Sequence, residues 1–174
     1  MKRSELEHIL RAAAAITGTD RFVVIGSQSI LGQFPDAPST LTVSIEADVF
    51  SLRSPDDAVL IDGSIGEESP FHRTFGYYAH GVGEETATLP AGWKDRLVPI
   101  HGPDTGGATG LCLEVHDLAV SKLVAGREQD TAFLGALLQH RLADRTTIRA
   151  RLAATTLDSV QRSVCEARLG RIPG

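Results

Sequence analysis

Two carboxylates stand one residue apart in the stretch Glu46-Ala47-Asp48-Val49-Phe50. On an extended strand the side chains at i and i+2 project from one face, so Glu46 and Asp48 share a side. Neighbouring anions repel, and a cation between them relieves the repulsion. Hard oxygen ligands suit Mg²⁺, which takes one or two carboxylates and leaves its other positions to water and substrate phosphates, and Mn²⁺ accepts the same donors. A lone Glu-x-Asp triplet is also common on a solvated strand face, so its meaning depends on its neighbours.

The first neighbour is Gly26-Ser27, directly after the apolar run Phe22-Val23-Val24-Ile25. A glycine-serine turn opening a helix offers backbone N–H groups and a hydroxyl to a phosphate chain, although by itself it is also an ordinary turn with Ser27 as cap. The second neighbour is Lys122, inside the apolar stretch Asp117-Leu118-Ala119-Val120-Ser121-Lys122-Leu123. A lysine there either neutralises a triphosphate or snorkels from a packing face. Arg127 and Asp130 follow in Gly126-Arg127-Glu128-Gln129-Asp130, and Asp130 is a candidate third carboxylate or a partner that fixes Lys122. Asp62 and Glu114 are the other acids that could stand third beside the pair.

The six histidines, His8, His72, His80, His101, His116 and His140, show no metal-ligand spacing and are expected at the surface or in caps. Phe71, His72, Phe75, Tyr77 and Tyr78 are expected to form an aromatic core cluster more readily than the wall of a substrate cleft. The chain contains no Walker A sequence, no G-x-G-x-x-G after a strand, no H-E-x-x-H and no G-x-S-x-G elbow, since Gln28 stands where that serine would be.

The elements that must position these residues follow from periodicity. Ser4 with Glu7 reads as a capping box, and Leu6, Ile9, Leu10 and Ala13 recur at helical spacing until Gly18. Phe22–Ile25 reads as a strand, Ser27–Leu31 as the first turns of a helix, and 33–42, with Pro35 and Pro38, as a loop. Residues 44–52 alternate as the acid-bearing strand, and Ser54-Pro55-Asp56-Asp57 starts a helix that runs to about Ile65. From Gly66 to Gly92 there is no clear period beyond a strand near 77–80. Strand-like stretches at 96–101 and 108–114 flank the glycine-rich loop 102–107 and are expected to pair antiparallel. Helices are expected near 117–125, 128–141, 144–154 and 157–169. The expected fold is α+β: a mixed sheet flanked by helices over about 1–115 and a helical bundle over 116–174, in one domain with no linker between them.

A chain of 174 residues with 42% hydrophobic and 22% charged residues is long enough to bury a core. The mean hydropathy of −0.02 and the absence of any apolar run of about 18 residues exclude a membrane-spanning helix. Glu5, Glu7, His8 and Arg11 interrupt any export signal, so a cytoplasmic location is expected. The net charge of −5 argues against a surface devoted to nucleic acid, while leaving room for a local basic patch. Cys112 and Cys165 lie too far apart in sequence for a CxxC metal motif and suit a reducing compartment.

Gly26-Ser27, Glu46-x-Asp48 and the stretch from His116 to Leu123 followed by Gly126-Arg127-x-x-Asp130 resemble the minimal and AbiEii-like nucleotidyltransferases of the DNA polymerase β-like superfamily. The likeness spans roughly 20–140. It implies that Gly26 and Ser27 bind nucleotide phosphates, that Glu46 and Asp48 hold Mg²⁺ or Mn²⁺, and that Lys122, Arg127 and Asp130 complete the NTP site. It further implies an RNA, notably tRNA, or protein acceptor and an antitoxin or operon partner. Glu46 departs from the commoner aspartate, and the connection from Gly26-Ser27 to the acids is longer than usual. Those departures suit an alternative, a non-catalytic nucleotide-sensing or protein-binding module on the same fold.

Overall fold

A strand whose every residue is apolar is stable only where both faces of its sheet are covered. In the computed structural model, which describes residues 1–173, Phe22 to Ile25 meet that condition, all of them buried in β1 (Arg21–Ile25). The other strands are β2 (Glu46–Ser51), β3 (Tyr78–Gly81), β4 (Val98–Ile100) and β5 (Thr109–Cys112). They form one mixed sheet in the order β3-β2-β1-β5-β4, with β1 at its centre. β1 runs antiparallel to β2 and parallel to β5, and β3 runs parallel to β2. The expected antiparallel pair is β4 with β5, joined through a 3-10 turn at Pro103–Thr105.

Helix α1 (Arg3–Thr17) buries Leu6, Ile9, Leu10 and Ala13, the stripe read from the sequence, and ends at Gly18 in the left-handed region with φ 67°. Its start differs from expectation. The Glu5 carboxylate accepts the Lys2 N–H at 2.6 Å, so the helix begins earlier, and Glu7 pairs instead with Arg3 at 2.8 Å. After Gly26 the chain makes a 3-10 turn at Ser27–Ser29 before α2 (Ile30–Gln33). The Ser29 hydroxyl and N–H both donate to the Gly26 carbonyl, at 2.8 and 3.3 Å, which tightens the turn that was expected to be α-helical.

Helix α3 (Asp57–Ile65) lies against β3, and α4 (Pro70–Phe75), which no periodicity announced, is capped by the Ser69 hydroxyl accepting the His72 N–H. Four helices follow: α5 (Val115–Ala125), α6 (Glu128–Gln139), α7 (Arg145–Ala153) and α8 (Ser159–Arg171). α5 starts two residues earlier than expected because the Glu114 carboxylate accepts the His116 N–H at 3.1 Å and caps it. Leu118, Ala119, Val120 and Leu123 are fully buried, since α5 packs against α6, α7 and α8 as well as α2 and the turn after Gly26. The whole is a mixed sheet with flanking helices and a helical C-terminal part, as expected. Among the described residues no helix is long and apolar enough to cross a membrane.

Candidate functional site

The period-two alternation of β2 places the acids. Ala47 and Val49 are buried on one face, while Glu46 and Asp48 emerge on the other with side-chain exposures of 35% and 27%. Asp48 sits opposite Ile25 in the β1–β2 register, so the next residue of the chain after β1, Gly26, lies beneath its carboxylate. Gly26 has φ 70° and ψ −170°, backbone essentially confined to glycine, and a Cβ built there would fall 2.1 Å from Asp48 Oδ2. The glycine of the turn therefore makes the space that the acid occupies.

The β2–β3 register supplies two further groups. Tyr78 stands opposite Glu46 and His80 opposite Asp48. The Tyr78 hydroxyl donates to Glu46 Oε2 at 2.9 Å, and His80 Nδ1 lies 3.3 Å from both Glu46 Oε1 and Asp48 Oδ1. One donor atom from each of Glu46, Asp48 and His80 lies within 4.8 Å of the others. His80 is half exposed, at the surface as expected, and strand pairing, which sequence spacing does not encode, also brings it to the acids. His116, by contrast, lies outside this cluster, with its ring between Glu114 and Asp144, the residues that cap α5 and α7.

Electrostatics follow from that crowding. Burial, and then the adjacent Glu46, push the Asp48 carboxyl up from 3.8 to about 6, against the opposing pull of His80. Burial alone would lower the His80 pKa, but Asp62, Asp48 and Glu46 together raise it. Burial and the Glu46 contact push the Tyr78 hydroxyl to about 12, so it remains a donor.

The cationic half comes from α5 and α6. Lys122 Nζ lies 2.9 Å from Asp130 Oδ1 and 5.4 Å from the centre of the Phe133 ring. Arg127 reaches the other Asp130 oxygen at 2.8 Å, and the Arg127 N–H also donates to it. Asp130 is fully buried between these partners, and although burial opposes ionisation its two cations hold its pKa down. Of the two roles open to Asp130, the contacts are those of a group that fixes Lys122, and it is outside the acid-histidine cluster. Arg127 is mostly exposed, and its hydrogen bond to Asp130, with smaller contributions from the charges of Asp48 and Glu46, raises its pKa. Of the other third acids considered, Asp62 accepts the Gly81 N–H at 2.8 Å beside His80, and Glu114 is taken up by the α5 cap.

A cleft of about 1050 Å³ is walled by Ser27, Ser44, Leu41, Lys122, Gln129 and Phe133, among others. The acids are not in its wall; they adjoin it through Gly26 before Ser27 and through Ser44, whose hydroxyl accepts the Glu46 N–H at 3.1 Å. Buried Gln28, which sequence reasoning used only to dismiss a nucleophile elbow, ties the turn to this edge by donating to the Ser44 carbonyl at 3.2 Å. The aromatic residues divide. Phe71, Phe75, Tyr77 and His8 pack ring to ring at 4.6–6.1 Å, but the cluster lies half-buried at the edge of the core, with Phe75 exposed, instead of inside it as expected, and Tyr78 leaves it for Glu46.

Two carboxylates on one strand face, with an imidazole nitrogen within 4.8 Å, form a donor set expected to accept a divalent cation, and the residues fit Mg²⁺ or Mn²⁺ on that ground. A protein-family model described as a nucleotidyltransferase of unknown function (DUF6036) matches residues 4–164. No curated protein and no solved structure matches the chain.

Proposed function

The chain belongs to the DUF6036 family of nucleotidyltransferases, and on that premise we propose that it moves a nucleoside monophosphate from an NTP to an acceptor hydroxyl, with Mg²⁺ or Mn²⁺ held by Glu46 and Asp48. The observation that carries the reading is the seating of Asp48 on Gly26, the residue before Ser27, which lines the same cleft as Lys122. When bound, the cation supplies charge neutralisation at the phosphates and eases loss of the acceptor proton. Lys122, immobilised by Asp130, offers the phosphates a fixed positive charge, and Ser27 with its neighbouring N–H groups binds phosphate oxygens. Arg127 adds charge from the exposed side. No nucleophile is required of the protein, because phosphoryl transfers depend mainly on positioning and charge.

The AbiEii-like pattern in the same residues supports RNA or protein as acceptor, and a toxin-type role with an antitoxin or operon partner. A second reading, a non-catalytic nucleotide-sensing or protein-binding module, is favoured by His80, since an imidazolium between Glu46 and Asp48 satisfies both acids by itself. Thermal melting with each NTP, with and without Mg²⁺ or Mn²⁺, tests the nucleotide site. A ligand at a hundred times its Kd stabilises the folded state by about 2.7 kcal/mol. The expected result is a metal-dependent rise in Tm that disappears in Asp48→Ala. No shift at millimolar NTP would sink the proposal. Transfer of label from α-³²P NTP to RNA or protein separates the enzyme from the sensing module.

A further inference from the structure

We propose that His80 is a third ligand of the cation held by Glu46 and Asp48, and that its imidazole nitrogen biases the site toward transition-metal divalent cations, Mn²⁺ among them, over Mg²⁺. The inference rests on the cation site proposed above and extends it to a residue that no sequence motif marks. Its first support is the β2–β3 register, which fixes His80 directly across from Asp48 by backbone pairing. Its second is distance: Nδ1 is equally far, 3.3 Å, from one oxygen of each acid. Adjacent ligands of an octahedral ion with bonds of about 2.1 Å lie about 3 Å apart, so Nδ1 is spaced from each acid oxygen as a neighbour in one coordination shell, and the two acid oxygens lie within 4.8 Å of each other.

The surroundings aim these atoms together. Tyr78 occupies Glu46 Oε2 and thereby leaves Oε1 facing His80, and Gly26 leaves Asp48 room to turn its other oxygen, Oδ1, the same way. Asp62 holds the Gly81 N–H, anchoring the backbone next to His80. His80 is about half exposed, so an ion has access to it from solvent. The chemistry of the donor set then decides the preference. Mg²⁺ seeks oxygen and keeps its water, whereas imidazole suits later first-row metals, and Mn²⁺ tolerates both.

The test uses Mn²⁺ as the probe, alone and with ATP, on the full chain labelled with [¹⁵N]histidine. Pulsed electron paramagnetic resonance is expected to show ¹⁵N coupling to the bound Mn²⁺, which is lost in His80→Ala. In competition titrations His80→Ala is expected to lose Mn²⁺ affinity at least about tenfold, a scale that even outer-shell partners of a metal command. His80→Asp, which makes the donor set all oxygen, is expected to narrow the Mn²⁺ over Mg²⁺ preference. Mn²⁺ that binds with Asp48 intact and is lost in Asp48→Ala, but shows no ¹⁵N coupling, overturns the inference and leaves the proposed function standing. Absence of Mn²⁺ binding in the wild type, with or without ATP, overturns the inference, and absence of Mg²⁺ binding as well overturns both. The coupling measurement on wild type decides the question even where a His80 variant fails to fold.

Discussion

Gly26 and Asp48 act as one unit at the residue scale, because the glycine leaves the volume that the acid fills. Gly26→Ala adds a Cβ 2.1 Å from Asp48 Oδ2 at a backbone conformation that costs an alanine about 1–3 kcal/mol. With about 2–4 °C in Tm per kcal/mol at this chain length, a fall of several degrees is expected, together with loss of the metal-dependent NTP response. A variant that melts and responds like wild type would contradict the packing described. The acid pair also sets a pH dependence. Asp48 binds its proton more tightly folded, at about 6, than at its ordinary 3.8, so stability falls as pH rises across that window. His80, its pKa raised, contributes stability that is present below 6.5 and lost as pH rises through its folded value, so the two slopes have the same sign. Asp48→Asn is expected to flatten the lower window and to stabilise the protein at pH 7 by on the order of 1 kcal/mol. Urea melts between pH 4 and 8 measure this, and an unchanged slope in the variant would refute it.

Between elements, the α5–α6 corner is held by one buried carboxylate and two cations of unequal burial. Lys122 and Asp130 are almost wholly enclosed, whereas the Arg127 side chain is 61% exposed. Breaking a buried pair by removing one partner costs about 3–5 kcal/mol because the other charge stays buried, while exposed pairs contribute about 0–1 kcal/mol. Asp130→Ala is therefore expected to lower Tm by roughly 10 °C, with Arg127→Ala changing it by a few degrees at most, both read by thermal circular dichroism. Equal effects would mean that Arg127, and not Lys122, is the partner that matters. The spacing of Lys122 and Asp130 identified both residues without deciding their relation. That relation depends on how α6 turns back after Gly126, which is a matter of packing.

Across the whole molecule, the C-terminal helices are fastened by arginines turned inward onto carbonyls. Arg168 donates to Leu123 and Val124 O at the end of α5, Arg145 to Leu169 and Ile172 O, and Arg162 to Leu152 and Thr155 O. These cations complement helix ends that would otherwise leave carbonyls unpaired. Because α5 packs against α2 and the Gly26 turn as well as against α6, α7 and α8, loosening α8 is expected to propagate to the sheet. Arg168→Ala is expected to cost about 1.5–3 kcal/mol and to shift one cooperative transition, seen together in far-ultraviolet circular dichroism and in the fluorescence of buried Trp93. Two separated transitions would show that the helical part unfolds independently of the sheet.

What the sequence determined by itself is what short-range periodicity and turn chemistry encode. The α1 stripe ending at Gly18, the apolar run of β1, the alternation that sets Glu46 and Asp48 on one face of β2, the β4–β5 pair and the four C-terminal helices are all legible within windows of a few turns or a few alternating residues. The candidate acids and the glycine-serine turn were legible for the same reason. Tertiary structure decided the rest. α4 is too short to show a period. His80 and Tyr78 reach the acids only through the parallel register of β3, fixed by backbone pairing over 32 residues of chain. Asp130 becomes the anchor of Lys122 because two helices fold against each other and bury its charge where a cation must accompany it.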